Sequence, residues 1–210
     1  MASWADVQTA GRGRLNHKWV SAEGRNLTFS AVFDVSGLEP GEIATFPLVA
    51  GLAVAKALER FGVKPRIKWP NDILADGKKL CGILCELYGT CIVCGIGLNV
   101  LQTRFPKTLN ATSLALLGLK CGIDAVFDAL LEVLGGYYEL WRKNGFASLL
   151  PEFARYDILR GRIVRILAKD DDSAPVEGFC EGIAADGTLV VAGRSIPAGE
   201  AHIASSASIA

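Results

Sequence analysis

Two apolar runs, KLCGILCELY (79–88) and TCIVCGIGLNV (90–100), follow one another near the middle of the chain. Gly89 separates them, and a glycine in that position is typical of a tight turn between two strands. Neither run alternates clearly between apolar and polar residues, which predicts strands that are buried on both faces. The two runs therefore predict a β-hairpin in the middle of a sheet.

The segments on either side of this hairpin predict further strands and helices. Before it, β-rich composition and helical spacing predict a strand, a helix that ends at Gly62, and a short strand. These elements cover residues 27–35, 46–61 and 66–69. After it, we expect two helices with polar residues at their starts. They run from Thr112 or Ser113 to Leu117 and from Asp124 to Trp141.

The composition of the chain changes near Arg160. From there, short β-type runs alternate with the turn-forming sequences DDD, AADG, AGRS and PAGE. This pattern predicts a small all-β module, a barrel of about five short strands. Residues 204–210 are expected to form a frayed tail. We therefore expect an α/β chain with a first domain over residues 1–157 and a second over residues 158–210.

The charge and hydropathy of the chain exclude several classes of protein. Lys+Arg and Asp+Glu both total 22, so the formal net charge is zero and a general nucleic-acid binder is not expected. The start, MASWADVQ, lacks the features of a signal peptide, and we expect no apolar run to span a membrane. Six cysteines without a secretory signal predict reduced thiols and a cytoplasmic location.

Cys91 and Cys94 form a C-x-x-C sequence, for which two interpretations are open. The pair could bind a metal or act in redox chemistry, or both cysteines could be small hydrophobes on buried strands. The chain has only two histidines, and no second C-x-x-C follows at zinc-finger spacing. The hydrophobic interpretation is therefore favoured.

The stretch QTAGRGRLNHKW (8–19) combines small flexible residues with two arginines. Gly11 and Gly13 allow positive φ angles and can turn backbone N–H groups toward a ligand. Arg12 and Arg14 supply bidentate donors that suit a carboxylate or a phosphate. A solvated basic loop is the alternative, and the functional interpretation predicts an anion site.

Further polar residues surround the predicted hairpin. The sequence KWPND (68–72) places the cation Lys68 beside Asn71 and Asp72, whose oxygens suit a hard cation such as Mg²⁺. An ordinary turn after a strand is the alternative for these residues. Lys79 lies at the mouth of the first hairpin strand, where a cation could meet an anionic ligand.

Glycines within the hairpin leave room for a ligand against the sheet. Gly82, Gly95 and Gly97 permit close approach, and the amide of Asn99 ends the second strand. A packed strand with a bulge is the alternative.

In this order, the motifs closely resemble those of biotin protein ligases, the enzymes that attach biotin to carrier proteins. The resemblance rests on QTAGRGRLNHKW, KWPNDIL, KKLCGILCEL, GIGLNV and the ATSL at 111–114. Lipoate ligases share the fold but not this set of motifs. The resemblance implies a class II synthetase-like catalytic domain with a central mixed sheet, followed by a small SH3-like barrel.

The resemblance also implies an activity. Biotin would react with Mg²⁺–ATP to give biotinyl-5′-AMP, and a lysine of a biotin carboxyl carrier protein would then accept the biotin. Lys79, Arg12 and Arg14 would be the catalytic residues, because they can screen the repulsion between the biotin carboxylate and the α-phosphate. A mobile loop over 11–14 that becomes ordered on the intermediate would keep water away from it.

The family's binding residues map onto named positions of this chain. The implied biotin site consists of Gln8, Gly11, Arg12, Gly13, Arg14, Lys79, Gly82, Gly95 and Gly97. The implied ATP site consists of Arg14, Lys18, Trp19, Lys68, Asn71, Asn99 and Ser113, and the implied metal site of Asp72 and Asn71.

The sequence differs from the family pattern in three ways. Only seven residues precede Gln8, and the chain has no Ser-Thr-Asn tripeptide of the kind that contacts the biotin ring. Asn16 and His17 stand where the family usually has glycine and arginine; His17 could contact a phosphate, although a solvent-exposed side chain is favoured. No helix-turn-helix domain precedes the motifs, so a repressor role is not expected.

Two other functions remain open beside an active biotin ligase. One is a lipoate or octanoate enzyme of the same fold, and the other is a truncated, non-catalytic paralogue that binds ligand. No nucleic-acid or membrane partner is expected. A homodimer is consistent with the resemblance, and the carrier domain is expected to dock by adding a strand to a sheet edge.

Overall fold

A computed structural model describes residues 1–14, 18–167 and 175–204. The strands are β1 (Ala2–Trp4), β2 (Asn26–Asp34), β3 (Arg66–Lys68), β4 (Asp72–Ala75), β5 (Lys78–Tyr88), β6 (Cys91–Asn99), β7 (Ile163–Leu167), β8 (Val176–Ile183), β9 (Leu189–Val191), β10 (Arg194–Ile196) and β11 (Glu200–Ile203). The helices are α1 (Pro40–Ile43), α2 (Phe46–Glu59), α3 (Ile123–Asn144) and α4 (Leu150–Tyr156), and a short 3₁₀ helix (Phe146–Leu149) precedes α4.

The predicted hairpin lies at the centre of a six-stranded sheet in the order β1-β2-β6-β5-β4-β3. The expected mixed sheet is corrected: all strand pairs described in this sheet are antiparallel. Tight turns join β3 through β6, and such turns can connect only antiparallel neighbours. Among the described residues, parallel pairing occurs only as isolated bridges, Ile67 with Asp157 and Lys79 with Ala111.

The two faces of the hairpin differ, which corrects the expectation that both are buried. Burial alternates along β6 between half-buried and buried residues. Ile83 and Ile96 are each 2% exposed and lie on the face that packs on α2. The opposite face carries glycines and borders a cavity, so the lack of alternation in the sequence reflects small residues there rather than a second packed layer.

Helix α2 is buried along most of its length because it lies between the sheet and α3. Its apolar residues therefore surround the helix axis instead of forming one stripe. The segment Pro40–Glu59 is long and apolar enough to cross a membrane, contrary to the sequence expectation, but 67% of its apolar 18-residue window is buried inside the protein. Trp141 of α3 donates from Nε1 to Thr45 Oγ1 over 2.9 Å at the start of α2.

The second predicted helix after the hairpin is confirmed as α3, but the first is wrong. Residues 114–118 form turns. Backbone N–H groups of this segment bond to the sheet: Thr112 N donates to Lys79 O over 2.8 Å, and Leu114 N donates to Asn99 O over 3.1 Å. These sheet contacts hold the segment in place of a regular helix.

The C-terminal residues form a second antiparallel sheet of five strands, as the turn spacing predicted, in the order β10-β9-β8-β7-β11. This sheet docks on the first unit through side chains that precede the hairpin. Trp69 donates from Nε1 to Gly187 O over 3.2 Å. Within the first unit, Arg66 donates from Nη2 to Asp157 O over 2.7 Å and holds the end of that unit beside the junction. Of the predicted tail at 204–210, only Ala204 is among the described residues.

Candidate active site

A cavity of about 240 Å³ lies on the face of β5 and β6 that is turned away from α2. Most of the predicted site residues line it: Gln8, Arg12, Gly13, Arg14, Lys18, Trp19, Lys68, Asn71, Asp72, Lys79, Gly82, Gly95 and Gly97. The predicted residues outside its lining are Gly11, Asn99 and Ser113. The fold thus brings together motifs that are separated by up to about half of the chain.

The glycine–arginine loop is closed by its own backbone. Arg12 pairs with Lys18 in an antiparallel bridge, and Trp19 N donates to Gly11 O over 3.0 Å. A Cβ on Gly11 would lie 2.5 Å from Trp19 O. Close approach, and not the expected positive φ, is therefore the reason for glycine at this position. Asn16 and His17 lie outside the described residues; for His17, a phosphate contact or a solvent-exposed side chain was predicted.

The two arginines of the loop differ in depth. Arg12 is at the rim, with a side chain that is 68% exposed, and its Nη2 lies 3.0 Å from Glu86 Oε2. Arg14 is half-buried, and among the described residues its Nη1 makes two long hydrogen bonds, 3.4 Å to Asn71 Oδ1 and 3.5 Å to Gly199 O. Burial lowers the pKa of the Arg14 guanidinium, while the charges of Asp72 and Glu200 act in the opposite direction. Arg14 is therefore a cation with capacity to bind an anion in the cavity.

Lys79 and Asp72 form an ion pair across neighbouring strands. Lys79 Nζ lies 2.7 Å from Asp72 Oδ1. The same oxygen is buried and accepts no hydrogen bond of acceptable alignment from the described residues, so proximity of charge is what holds the pair. Asn71 lies beside it and donates from Nδ2 to Ile83 O over 2.9 Å, which leaves its Oδ1 toward Arg14.

No group of three or more metal-ligating side chains occurs among the residues that the structure describes. Asp72 and Asn71 alone therefore do not form a closed metal site. One carboxylate with a neighbouring amide oxygen does suit a Mg²⁺ ion that keeps waters and is shared with phosphates.

Gly82 and Gly97 stand directly opposite each other on β5 and β6, and together they form what we call the glycine floor of the cavity. The indole of Trp19 lies on this floor: a Cβ on Gly97 would be 2.4 Å from Trp19 Cε2, and one on Gly82 would be 3.3 Å from Trp19 Cζ3. Trp19, predicted as a nucleotide contact, thus occupies the space predicted for biotin. Its Nε1 is buried and has no hydrogen-bond partner among the described residues, an arrangement that costs about 1–3 kcal/mol.

Asn99 and Ser113 lie outside the cavity lining, next to Thr112, whose backbone N–H bonds to Lys79 O. Both are buried, at 3% and 0% exposure. Asn99 donates from Nδ2 to Thr112 O over 2.9 Å, and Ser113 Oγ accepts from Leu116 N over 3.1 Å. These bonds hold the segment whose backbone pairs with Lys79, so in this structure both residues support the cavity wall.

Sequence reasoning missed several residues that line the cavity, and four of them extend it beyond the predicted motifs. Thr28 and Ser30 of β2 stand opposite Gly97 and Gly95 of β6 and extend the floor. Their signal was two polar residues at i and i+2 in an apolar strand. The other two residues come from the C-terminal sheet and had no local signal; they are Gly199 and Glu200.

The C-x-x-C cysteines do not converge. Residues i and i+3 of a strand lie on opposite faces, so Cys91 and Cys94 point apart. Cys94 is instead the cross-strand partner of Cys85, whose thiol pKa is raised by its hydrogen bond with Cys94 and by burial. All six cysteines are free, which agrees with the favoured hydrophobic interpretation.

Comparisons with known proteins agree with this geometry. The model of the Biotin/lipoate A/B protein ligase family matches residues 2–99. The chain is 32% identical over 198 residues to the Bifunctional ligase/repressor BirA of Escherichia coli, covering 89% of this chain and 60% of that protein. It is 33% identical over 167 residues to the Biotin--[acetyl-CoA-carboxylase] ligase of Mycobacterium tuberculosis, covering 77% of this chain and 62% of that protein.

A solved structure shows the same fold over nearly the whole chain. It is the biotin protein ligase from Aquifex aeolicus in complex with biotin and ATP, with a TM-score of 0.85 and 29% identity. The match covers 98% of this chain and 89% of that one. The chain spans about 60% of the length of the first curated relatives. The part of the chain that matches the Biotin/lipoate A/B protein ligase family, residues 2–99, includes the glycine–arginine loop, KWPND and the hairpin of the cavity.

Proposed function

We propose that this chain is an ATP-dependent biotin–protein ligase. The biotin carboxylate attacks the α-phosphate of ATP, giving biotinyl-5′-AMP and pyrophosphate. The ε-amine of a lysine on a biotin carboxyl carrier protein then attacks the mixed anhydride, forms an amide and releases AMP. The names of the relatives from E. coli, M. tuberculosis and A. aeolicus support this assignment.

One observation carries the proposal: the cations Arg14 and Lys79 line the same cavity as the glycine floor. The first reaction brings two anions together, and their repulsion opposes the attack. Cations fixed in a partly buried cavity lower that repulsion more effectively than ions in water. Arg12 at the rim, which is paired with Glu86, is placed to add charge when the loop closes.

Mg²⁺ belongs to the proposal as a partner of ATP. Asp72, with Asn71 beside it, would hold the ion together with phosphate oxygens and water. Bound Mg²⁺ would supply charge neutralisation at the phosphates. Binding of the ion at Asp72 would also release Lys79 from its ion pair, so that the ammonium could meet the biotin carboxylate.

We further propose two domains with the boundaries expected from the sequence, 1–157 and 158–210. The first would be class II synthetase-like, and the second an SH3-like barrel; five antiparallel strands support the latter. Gly199 and Glu200 extend from the second unit to the cavity, which supports a role for it in closing the site.

The proposed acceptor is a biotin carboxyl carrier domain of a carboxylase, a class supported by the name of the M. tuberculosis relative. We propose that the protein acts in the cytoplasm, which its free cysteines support, and that two copies can pair through the sheet. The proposal includes no nucleic-acid or membrane partner.

Intact-mass spectrometry of a biotin carboxyl carrier domain tests the function. The domain is incubated with the chain, biotin and Mg²⁺–ATP, and we expect the mass of one biotin to be added only when ATP is present. Lys79→Ala should abolish this gain. Lys78→Ala is the matched control, because Lys78 is the exposed neighbour outside the cavity lining and should retain activity.

Two further substrates separate the alternatives. Transfer of lipoate or octanoate in place of biotin would identify a different acyl specificity on the same fold. Biotin binding without pyrophosphate release would indicate a non-catalytic paralogue. Either result, from a folded protein, would contradict the proposed ligase.

A further inference from the structure

We propose that Trp19 is an internal occupant of the glycine floor, and that ligand binding requires its indole to leave. The inference rests on the proposed function only in naming biotin as the ligand. It assigns to Trp19 a gating role that differs from its predicted role as a nucleotide contact.

The indole and a ligand cannot share the floor. Gly82 and Gly97 are paired across β5 and β6, and neither has a side chain of its own between its backbone and the cavity; Lys79 Cε comes within 3.3 Å of the position of a Cβ on Gly82. The indole fills that space so closely that even a methyl group on Gly97 would lie 2.4 Å from Cε2 and 2.6 Å from Cζ2. A ligand that approaches the backbone of these glycines must therefore take the place of the ring.

Among the described residues, the indole of Trp19 lacks a hydrogen-bond partner for its N–H while it lies on the glycine floor, which makes the ring easier to displace. Its Nε1 is buried without a hydrogen-bond partner among the residues described, so the ring gives up a hydrogen bond to water by occupying the floor. Lys79 Nζ is 6.0 Å from the ring centroid, at the outer limit of a cation–π contact. Apolar contact thus holds the indole, and its departure restores hydration of the N–H.

Departure of the indole is coupled to the glycine–arginine loop. The backbone N–H of Trp19 donates to Gly11 O, and the neighbouring Lys18 pairs with Arg12 through the backbone. A rotation of the Trp19 side chain therefore occurs at the base of the loop that carries Arg12 and Arg14. Exchange of the indole for a ligand would change the packing beneath both arginines.

The first test needs no ligand. The protein is labelled with 5-fluorotryptophan, and the Trp19 signal in the ¹⁹F NMR spectrum is assigned with Trp19→Phe. In Gly97→Ala, the added methyl group should expel the indole, and the Trp19 signal should move to the position and solvent sensitivity of an exposed tryptophan. Gly136→Ala is the matched control, because a Cβ there meets no atom within 4 Å, and the Trp19 signal should stay unchanged.

Gly82→Ala provides a milder version of the same change if Gly97→Ala does not fold. Its Cβ would lie 3.3 Å from Cζ3, so a smaller shift of the Trp19 signal is expected. A Trp19 signal that is already solvent-exposed in the wild-type protein, or that does not move in the folded glycine variants, would overturn the proposal whatever the ligand is.

The second test measures biotin binding by calorimetry without ATP. Trp19→Ala should bind biotin roughly fivefold more tightly than wild type or better, because apparent affinity rises with the fraction of open sites. Trp4→Ala, which changes a partly exposed tryptophan outside the cavity lining, should bind like wild type. Equal or weaker binding by Trp19→Ala would refute the gating role.

The two tests separate this inference from the proposed function. If neither wild type nor Trp19→Ala binds biotin, the proposed function fails, and the ligand-free spectrum of Gly97→Ala still decides whether Trp19 occupies the floor.

Discussion

Lys79 Nζ and Asp72 Oδ1 lie 2.7 Å apart across strands β5 and β4, inside the cavity that the family motifs line. The ion pair neutralises the ammonium that the proposed reaction uses to hold a carboxylate. A carboxylate ligand must therefore compete with Asp72, unless a cation binds Asp72 first. In the proposed function, the order of binding between biotin and Mg²⁺–ATP would therefore depend on this one pair of side chains.

Asp72→Asn should separate binding from chemistry. Removal of the carboxylate frees Lys79, so biotin should bind more tightly in the absence of ATP. Formation of pyrophosphate should fall by about tenfold or more, because a ligand of the proposed Mg²⁺ is lost. Calorimetry and a pyrophosphate assay measure the two effects. Asp76→Asn, in the turn before β5, should change neither; weaker biotin binding by Asp72→Asn would contradict the competition.

Arg14→Gly should release the reactive intermediate. Arg14 is half-buried in the cavity, and its hydrogen bonds to described residues are long, at 3.4 and 3.5 Å, so its charge is available to hold an adenylate. We expect biotin to appear on lysines of bystander proteins, detected by mass spectrometry after incubation with biotin and ATP. Arg25→Gly, which changes an exposed arginine outside the cavity lining, should label only the carrier. Carrier-only labelling at full rate by Arg14→Gly would be inconsistent with retention by the loop.

Asn99→Ala should destabilise the fold by about 1–3 kcal/mol, because it leaves a buried carbonyl oxygen of Thr112 without the bond from Asn99 Nδ2. Urea denaturation measures the free energy of unfolding. Asn110→Ala removes an exposed bond to Gly77 O and should change stability by only about 0.5 kcal/mol or less. A loss of ATP affinity in Asn99→Ala without a loss of stability would instead favour the nucleotide contact predicted from the family resemblance.

Asp157→Asn should change how stability depends on pH. Burial raises the pKa of the Asp157 carboxyl above its usual 3.8, so the folded protein holds this proton more tightly than the unfolded chain. The contribution of Asp157 to the free energy of unfolding therefore falls as pH rises from below 3.8 through the folded-state pKa. The variant keeps an oxygen that can accept from Leu159 N, and it should gain stability relative to wild type between pH of about 3 and about 7.

Asp186→Asn provides the control of opposite sign. Hydrogen bonds from the backbone and side chain of Thr188 lower the pKa of Asp186, so its contribution is present above the usual pKa and is lost as pH falls. This variant should lose stability relative to wild type over the same rise in pH. Urea denaturation at the two pH values measures both, and parallel behaviour of the two variants would contradict the assignment.

The sequence by itself determined the elements whose signals are local. Apolar runs around Gly89 predicted β5 and β6, and helical spacing predicted α2 and α3, because chain neighbours largely decide these structures. The helix expected at 112–117 was wrong; the segment forms turns whose first N–H groups, those of Thr112 and Leu114, bond to Lys79 O and Asn99 O, which lie far away in sequence. The antiparallel character of the whole sheet also escaped prediction, because strand order depends on packing rather than on composition.

The residue types of the cavity could be predicted from motifs, but their arrangement could not. Arg14, Lys79 and the paired glycines are recognisable because their chemistry requires particular side chains at particular spacings. Only the tertiary structure decided that Trp19 lies on the glycine floor, that Asp72 pairs with Lys79, and that Glu200 reaches the cavity. Each of these contacts joins elements that meet through sheet pairing or docking, and a linear pattern carries no information about the distance between such elements after folding.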